Sequence, residues 1–154
     1  MLVRGDAAYG SSAVINAALR GKVTFSLVLT RQPSVNRAID SIPAEAWVPV
    51  QYPGAVRDPD TGAWISDAEV AEVPYTAFAG TRQEVTTRLV VRRVRDRNIG
   101  PEDEMFPAWR YHPFFTNSTE PVADADITHR RHAIIETLFA DLIDGPLAHM
   151  PSGK

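Results

Sequence analysis

The sequence predicts an α/β fold, and three observations carry that prediction. Residues 1–45 alternate between short apolar strands and short amphipathic helices. Residues 46–122 change to aromatic and β-branched runs separated by turn-formers, the texture of an antiparallel sheet. Residues 123–145 then carry an amphipathic helix.

The elements follow in order. Met1–Arg4 reads as the end of a strand, with Gly5 and Asp6 at its exit. Ser11 or Ser12 caps a helix reaching about Leu19, with Ala13, Val14, Ala17 and Ala18 on one side. Gly21 stops it. Val23–Leu29 is β-branched, aromatic and aliphatic, which suits a buried strand. Ser34–Ile42 forms a second helix after Pro33. Two strands joined by a helix should be parallel. The segments WVPVQY, EVAEVPYTAFA, EVTTRLVVRRV and WRYHPFFT are strands of an antiparallel insertion, with turns at Pro53-Gly54 and Asp60-Thr61-Gly62. The last helix spans roughly Asp126–Ile143. Asp124, Asp126 or Thr128 can cap it, Ile127, Ile134, Ile135, Leu138, Leu142 and Ile143 form its apolar stripe, and Gly145-Pro146 ends it.

Composition narrows the function classes. The 154 residues suffice for one domain with a core, and a net charge of −3 excludes a chain that is basic throughout. Lysine occurs only at Lys22 and Lys154, so nearly every cation is arginine, whose planar fork pairs well with phosphate. GC-rich codon usage gives the same bias. The absence of cysteine excludes disulfides, thiol catalysis and cysteine-ligated zinc, and fits a reducing cytoplasm. No apolar run approaches the roughly 20 residues that span a bilayer, and the N-terminus lacks the features of a signal peptide.

One constellation stands out. His129, His132 and Glu136 are spaced three and four apart, on one helical face over two turns. Three readings compete: a solvated polar face, a zinc site joined by His112 or His149, or a carboxylate that holds Mg²⁺ near a phosphate with basic neighbours on DNA. Asp6 bears on the third. It ends a parallel strand, where ligands bind in open α/β sheets. It equally suits a turn acid bonded to its own backbone, with Gly5 and Gly10 around it. Arg88, Arg92, Arg93, Arg95 and Arg97 crowd one strand and its exit. Alternation puts Arg93, Arg95 and Arg97 on one side, either on phosphates or paired with Glu102, Asp103 and Glu104.

With those residues in view, the chain resembles the group 1 DDE transposases of bacterial insertion sequences, in the branch named for insertion sequence 1380. The resemblance rests on LVRGDAAY, AEAWVPVQYPGAVRDPDTGAWISDAEVAEVPYTAF, RLVVRRVRDRN, WRYHPFFTNS, HRRHAIIE and DLIDGPLAHMPSG, in that order and spacing. It implies a partial ribonuclease H-like core with a β-rich antiparallel insertion and a C-terminal catalytic helix. It also implies acids that hold Mg²⁺ or Mn²⁺, with Asp6 in the place of the second and Glu136 in the place of the third. His129 stands where relatives carry Tyr, His132 where they carry Arg, and Ile143 where they often carry Lys. His129, Arg130 and His132 are then expected on DNA, at transposon ends and target, in a dimer of the complete protein. The expected setting is the bacterial cytoplasm, at the nucleoid. The family's first acid has no counterpart here, so the chain is expected to be an inactive fragment. Two alternatives stay open: a non-catalytic DNA-binding remnant, or a zinc protein using the His129/His132/Glu136 face. A two-stranded early sheet with an unpaired edge at Met1–Asp6 is further expected to leave the isolated chain poorly soluble or partly molten.

Overall fold

The computed structural model describes residues 1–51, 59–60, 68–95 and 109–131. The chain runs β1 (Leu2–Gly5), α1 (Ser12–Arg20), β2 (Thr24–Val28), α2 (Pro33–Asp40), a 3₁₀ turn (Ala44–Ala46), β3 (Val48–Val50), β4 (Ala68–Ala77), β5 (Val85–Arg95) and β6 (Trp109–Thr116). A further helix, α3, is described over residues 122–131. The protein is mixed α/β, as the sequence predicts.

The six strands form one sheet in the order β1-β2-β6-β5-β4-β3. β1 and β2 are parallel, with Leu2 opposite Thr24 and Gly5 opposite Leu27. Every other pairing is antiparallel. The strands expected as an insertion therefore extend the sheet of the β-α-β unit. Their junction is β6, where Ser26 faces Thr116 and Val28 faces Phe114. This corrects the expectation of a weak two-stranded early sheet: β2 is a central strand, gripped from both sides. Within the described residues β1 has one neighbour, so that edge is the part of the expectation that stands.

Three prolines fit this arrangement, because proline cannot donate to the ladder. Pro49 lies in β3 at the sheet margin. Pro74 lies beyond the stretch of β4 that pairs with β3, which ends at Val70. Pro113 lies just past the β6 residues that pair with β2.

Alternation along the strands sorts residues onto two faces. One face packs under α1 and α2, where Phe25, Leu27, Leu89, Val91 and Phe115 meet Ile15, Val35 and Ile39. Ser11 caps α1 by accepting from Val14 N, and Gly21 closes it, as expected. The other face carries Arg4, Ser26, Arg92, His112, Phe114 and Thr116, and α3 lies across it. Arg4 donates to Thr128 O at 2.7 Å, and Ser26 Oγ and His129 Nδ1 share a hydrogen bond of 2.7 Å. The His129 ring stacks flat on Phe114, centroids 4.1 Å apart.

α3 begins earlier than the sequence suggests. Ala125 N bonds Pro121 O, so the first turn starts at Pro121, whose fixed φ suits a helix start. Arg88 anchors this beginning, donating to Ser118 O at 2.8 Å and Glu120 O at 2.7 Å while paired with Glu72. Asp126 consequently falls inside the helix, and it is 1% exposed.

Candidate functional site

Between α3 and the sheet lies a cavity of about 520 Å³. Its walls come from the end of β1 (Arg4, Gly5, Asp6), the end of β2 (Val28, Leu29, Arg31), β5 and β6 (Arg92, Tyr111, His112, Pro113, Phe114) and α3 (Asp126, His129, Arg130). Each wall follows from local chain geometry. β1 delivers Asp6 at its carboxyl end. β2 ends at Val28 and releases Arg31 into a loop. Arg92 and His112 are cross-strand partners on one face. Asp126, His129 and Arg130 are spaced three and four along a helix, so one face presents all three.

Asp6 combines both roles the sequence allowed. Its Oδ1 accepts from Ala8 N at 2.9 Å, and Tyr9 N donates to Asp6 O at 3.1 Å, the pattern of an Asx turn. The carboxylate also lines the cavity. The loop after it hugs the sheet: a Cβ at Gly10 would lie 2.3 Å from Val28 O, so only glycine fits that approach.

Of the other expected site residues, His129 and Arg130 line the same cavity as Asp6. Glu136, His132 and Arg97 lie outside the described residues. Arg93 and Arg95 lie on the α1–α2 face instead. Arg93 sits opposite Glu69 and bonds it through Nε at 2.6 Å, with its second contact at 2.5 Å. Its guanidinium lies between Trp47 and Trp109, 4.2 and 4.3 Å from the ring centroids. Arg95 reaches the same Trp109 ring at 5.7 Å, so the two arginines do share a side. Arg93 thus pairs with Glu69, an acid the sequence reading had not matched to it; Glu102, Asp103 and Glu104 lie outside the described residues.

Four cavity residues were not singled out as one site by the sequence: Arg4, Arg31, Arg92 and Asp126. His112 entered only as a spare zinc ligand. The i, i+3, i+4 relation of Asp126, His129 and Arg130 was legible, but Asp126 looked like a cap because the helix start was misplaced. His112 is exposed at the cavity rim, yet partial burial holds its imidazole below the usual histidine range. The guanidiniums of Arg92, Arg130, Arg110 and Arg31 push in the same direction.

Among the described residues, no group of three or more His, Asp or Glu stands close enough to hold a metal ion. None of their helices is long and apolar enough to cross a membrane. No family model matches the chain, and no curated protein matches it. The arrangement itself supplies a carboxylate at a strand end, a buried acid and an arginine-rich wall around one open space. Chemically, such a space suits a phosphate-bearing ligand with or without a divalent cation.

Proposed function

We propose that the chain is part of the catalytic domain of a DDE-type transposase with a ribonuclease H-like core. In the complete protein it would serve divalent-metal-dependent cleavage and strand transfer of DNA. One observation carries this reading: Asp6, at the carboxyl end of a parallel strand, opens into the cavity crossed by α3, the helix whose sequence runs on toward Glu136. The six sequence blocks that resemble the family support it, since four of them supply residues that line this cavity.

The donor chemistry fits Mg²⁺ or Mn²⁺. These ions take oxygen ligands and keep several waters, so Asp6 and Glu136 with one further acid would suffice. The resemblance implies that further acid, which none of the six blocks carries. When bound, the metal pair would activate the attacking oxygen and stabilise the leaving 3′ oxygen. The chain's own residues bind and orient. Arg130 and His129 face the space where DNA would lie, and the Ser26 bond with the Phe114 stack fixes the His129 ring. The partners of this reading are transposon-end and target DNA, in a dimer at the nucleoid of a bacterial cytoplasm.

The test uses a complete transposase carrying these same blocks. Asp6→Asn or Glu136→Gln, at the matching positions, should abolish strand cleavage while DNA binding in gel shifts persists. Normal cleavage by either variant ends the assignment.

A further inference from the structure

The cavity has two unlike ends. Asp6 marks one, at the tip of β1. Arg92 and His112 mark the other, side by side on β5 and β6. The register measures their separation. Gly5 pairs with Leu27 and Val28 with Phe114, so Asp6 lies level with Phe114. His112 is two strand spacings across and two residues along, roughly 12 Å away in the backbone. Arg31 leaves β2 toward this far end, and Arg130 overhangs it from α3. Around the whole cavity stand four guanidiniums, of Arg4, Arg31, Arg92 and Arg130, against the two carboxylates of Asp6 and Asp126.

We propose that the end formed by Arg31, Arg92, His112 and Arg130 is a second phosphate subsite. It holds a backbone phosphate of the DNA strand a few nucleotides from the phosphate over Asp6. The inference rests on the transposase reading for the identity of the strand, but the subsite stands on its own geometry. Arginines on three separate elements, β5, α3 and the loop after β2, line this one cavity near His112, with the Arg31 fork steadied on Asn36 Oδ1, and such a set suits the oxygens of a phosphate. At about 3.4 Å of rise per nucleotide, a 12 Å separation spans a few nucleotides of a stacked strand.

His112 gives the subsite a signature. Its proton is opposed by partial burial and by Arg92 on β5, Arg130 on α3, Arg110 on β6 and Arg31 after β2. An anion among those guanidiniums offsets their charge, so the imidazole regains its proton. Phosphate binding and proton uptake by His112 are therefore linked, and binding strengthens as the pH is lowered through the histidine range.

The experiment titrates the His112 ring by NMR in the full 154-residue chain. The probes are inorganic phosphate and a short single-stranded DNA oligonucleotide. Both should raise the His112 pKa. Arg31→Gln with Arg130→Gln should weaken oligonucleotide affinity and lower its salt slope by between one and two. Arg20→Gln, on α1 across the sheet, should change neither. Arg31 is exposed, so Arg31→Gln alone gives the same direction of change if the double variant folds poorly. A His112 titration blind to phosphate overturns the subsite, as does a double variant that binds like Arg20→Gln. Binding of phosphate without the oligonucleotide overturns the DNA assignment. Strand cleavage by the complete transposase is read separately: normal cleavage with Asp6→Asn at the matching position counts against the transposase reading and leaves the His112 result standing.

Discussion

The two faces of the sheet are built from the same strands and do opposite work. Under α1 and α2 the side chains are apolar and interlocked: Phe115 lies 5.7 Å from the Phe25 ring and 5.9 Å from Tyr75. Under α3 the same strands turn out Ser26, Arg88, Arg92, His112 and Thr116, and the contacts are hydrogen bonds, an ion pair and one flat His–Phe stack. The first face gains from area removed from water. The second also buries apolar side chains, among them Val70, Val90 and Phe114, and adds polar groups that tie the sheet to α3. Both faces bury apolar area; the difference is that the α3 face also gathers the charged side chains that line the cavity.

Substitutions can break this contrast. The largest effect belongs to Phe115→Ala, which removes a fully buried ring touching two others. It should cost about 3–5 kcal/mol in denaturant unfolding, a large share of the roughly 5–15 kcal/mol of a typical domain. A loss below about 1 kcal/mol would mean the α1–α2 face is not the packed side. Next comes Thr116→Val, which is nearly isosteric. Thr116 is 0% exposed, donates to Phe25 O at 2.6 Å and accepts from Ser118 N at 3.0 Å. Orphaning those groups should cost about 1–3 kcal/mol.

Ser26→Ala sharpens the comparison further. It removes the partner of His129 Nδ1, with an expected loss of about 1 kcal/mol. The diagnostic readout is the ¹⁵N shift of the His129 ring, which should move if Ser26 sets its tautomer. An unchanged shift would mean that Ser26 does not set the tautomer. The smallest effect is the pH dependence from His112. Its proton is disfavoured in the folded protein, so the unfolded chain binds more protons as the pH falls below the ordinary histidine value of 6.5. Stability should therefore decline on acidification through that range, and His112→Gln should flatten the decline in a series of thermal melts. A decline of equal size in the variant would assign it to other groups.

Much of the fold was legible because local signals agreed. Ser11, Gly21 and Pro33 mark helix ends by capping and by proline geometry, and the structure uses all three there. The β-branched content of residues 23–29 and 85–95 produced strands close to the expected bounds. The start of α3 was misplaced because two acids and a threonine near it all suited a cap, whereas the deciding contacts come from Arg88, more than thirty residues earlier in the chain. The site was legible in part. Asp6, His129 and Arg130 line one cavity, but Arg93 and Arg92 are adjacent in sequence and point to opposite faces. Only the register of β5 on β6 makes Arg92 a neighbour of His112.

The sequence by itself determined the elements: their type, their approximate ends, the parallel β1–β2 pair and the candidacy of Asp6. Those follow from propensity, capping and periodicity, which act within a few residues. Tertiary structure alone decided that β6 joins β2 in one continuous sheet, that Asp126 turns inward, and that Arg31, Arg92 and Arg130 surround one space. Those outcomes depend on pairings between segments about 90 residues apart, where one residue of register exchanges a buried face for an open one.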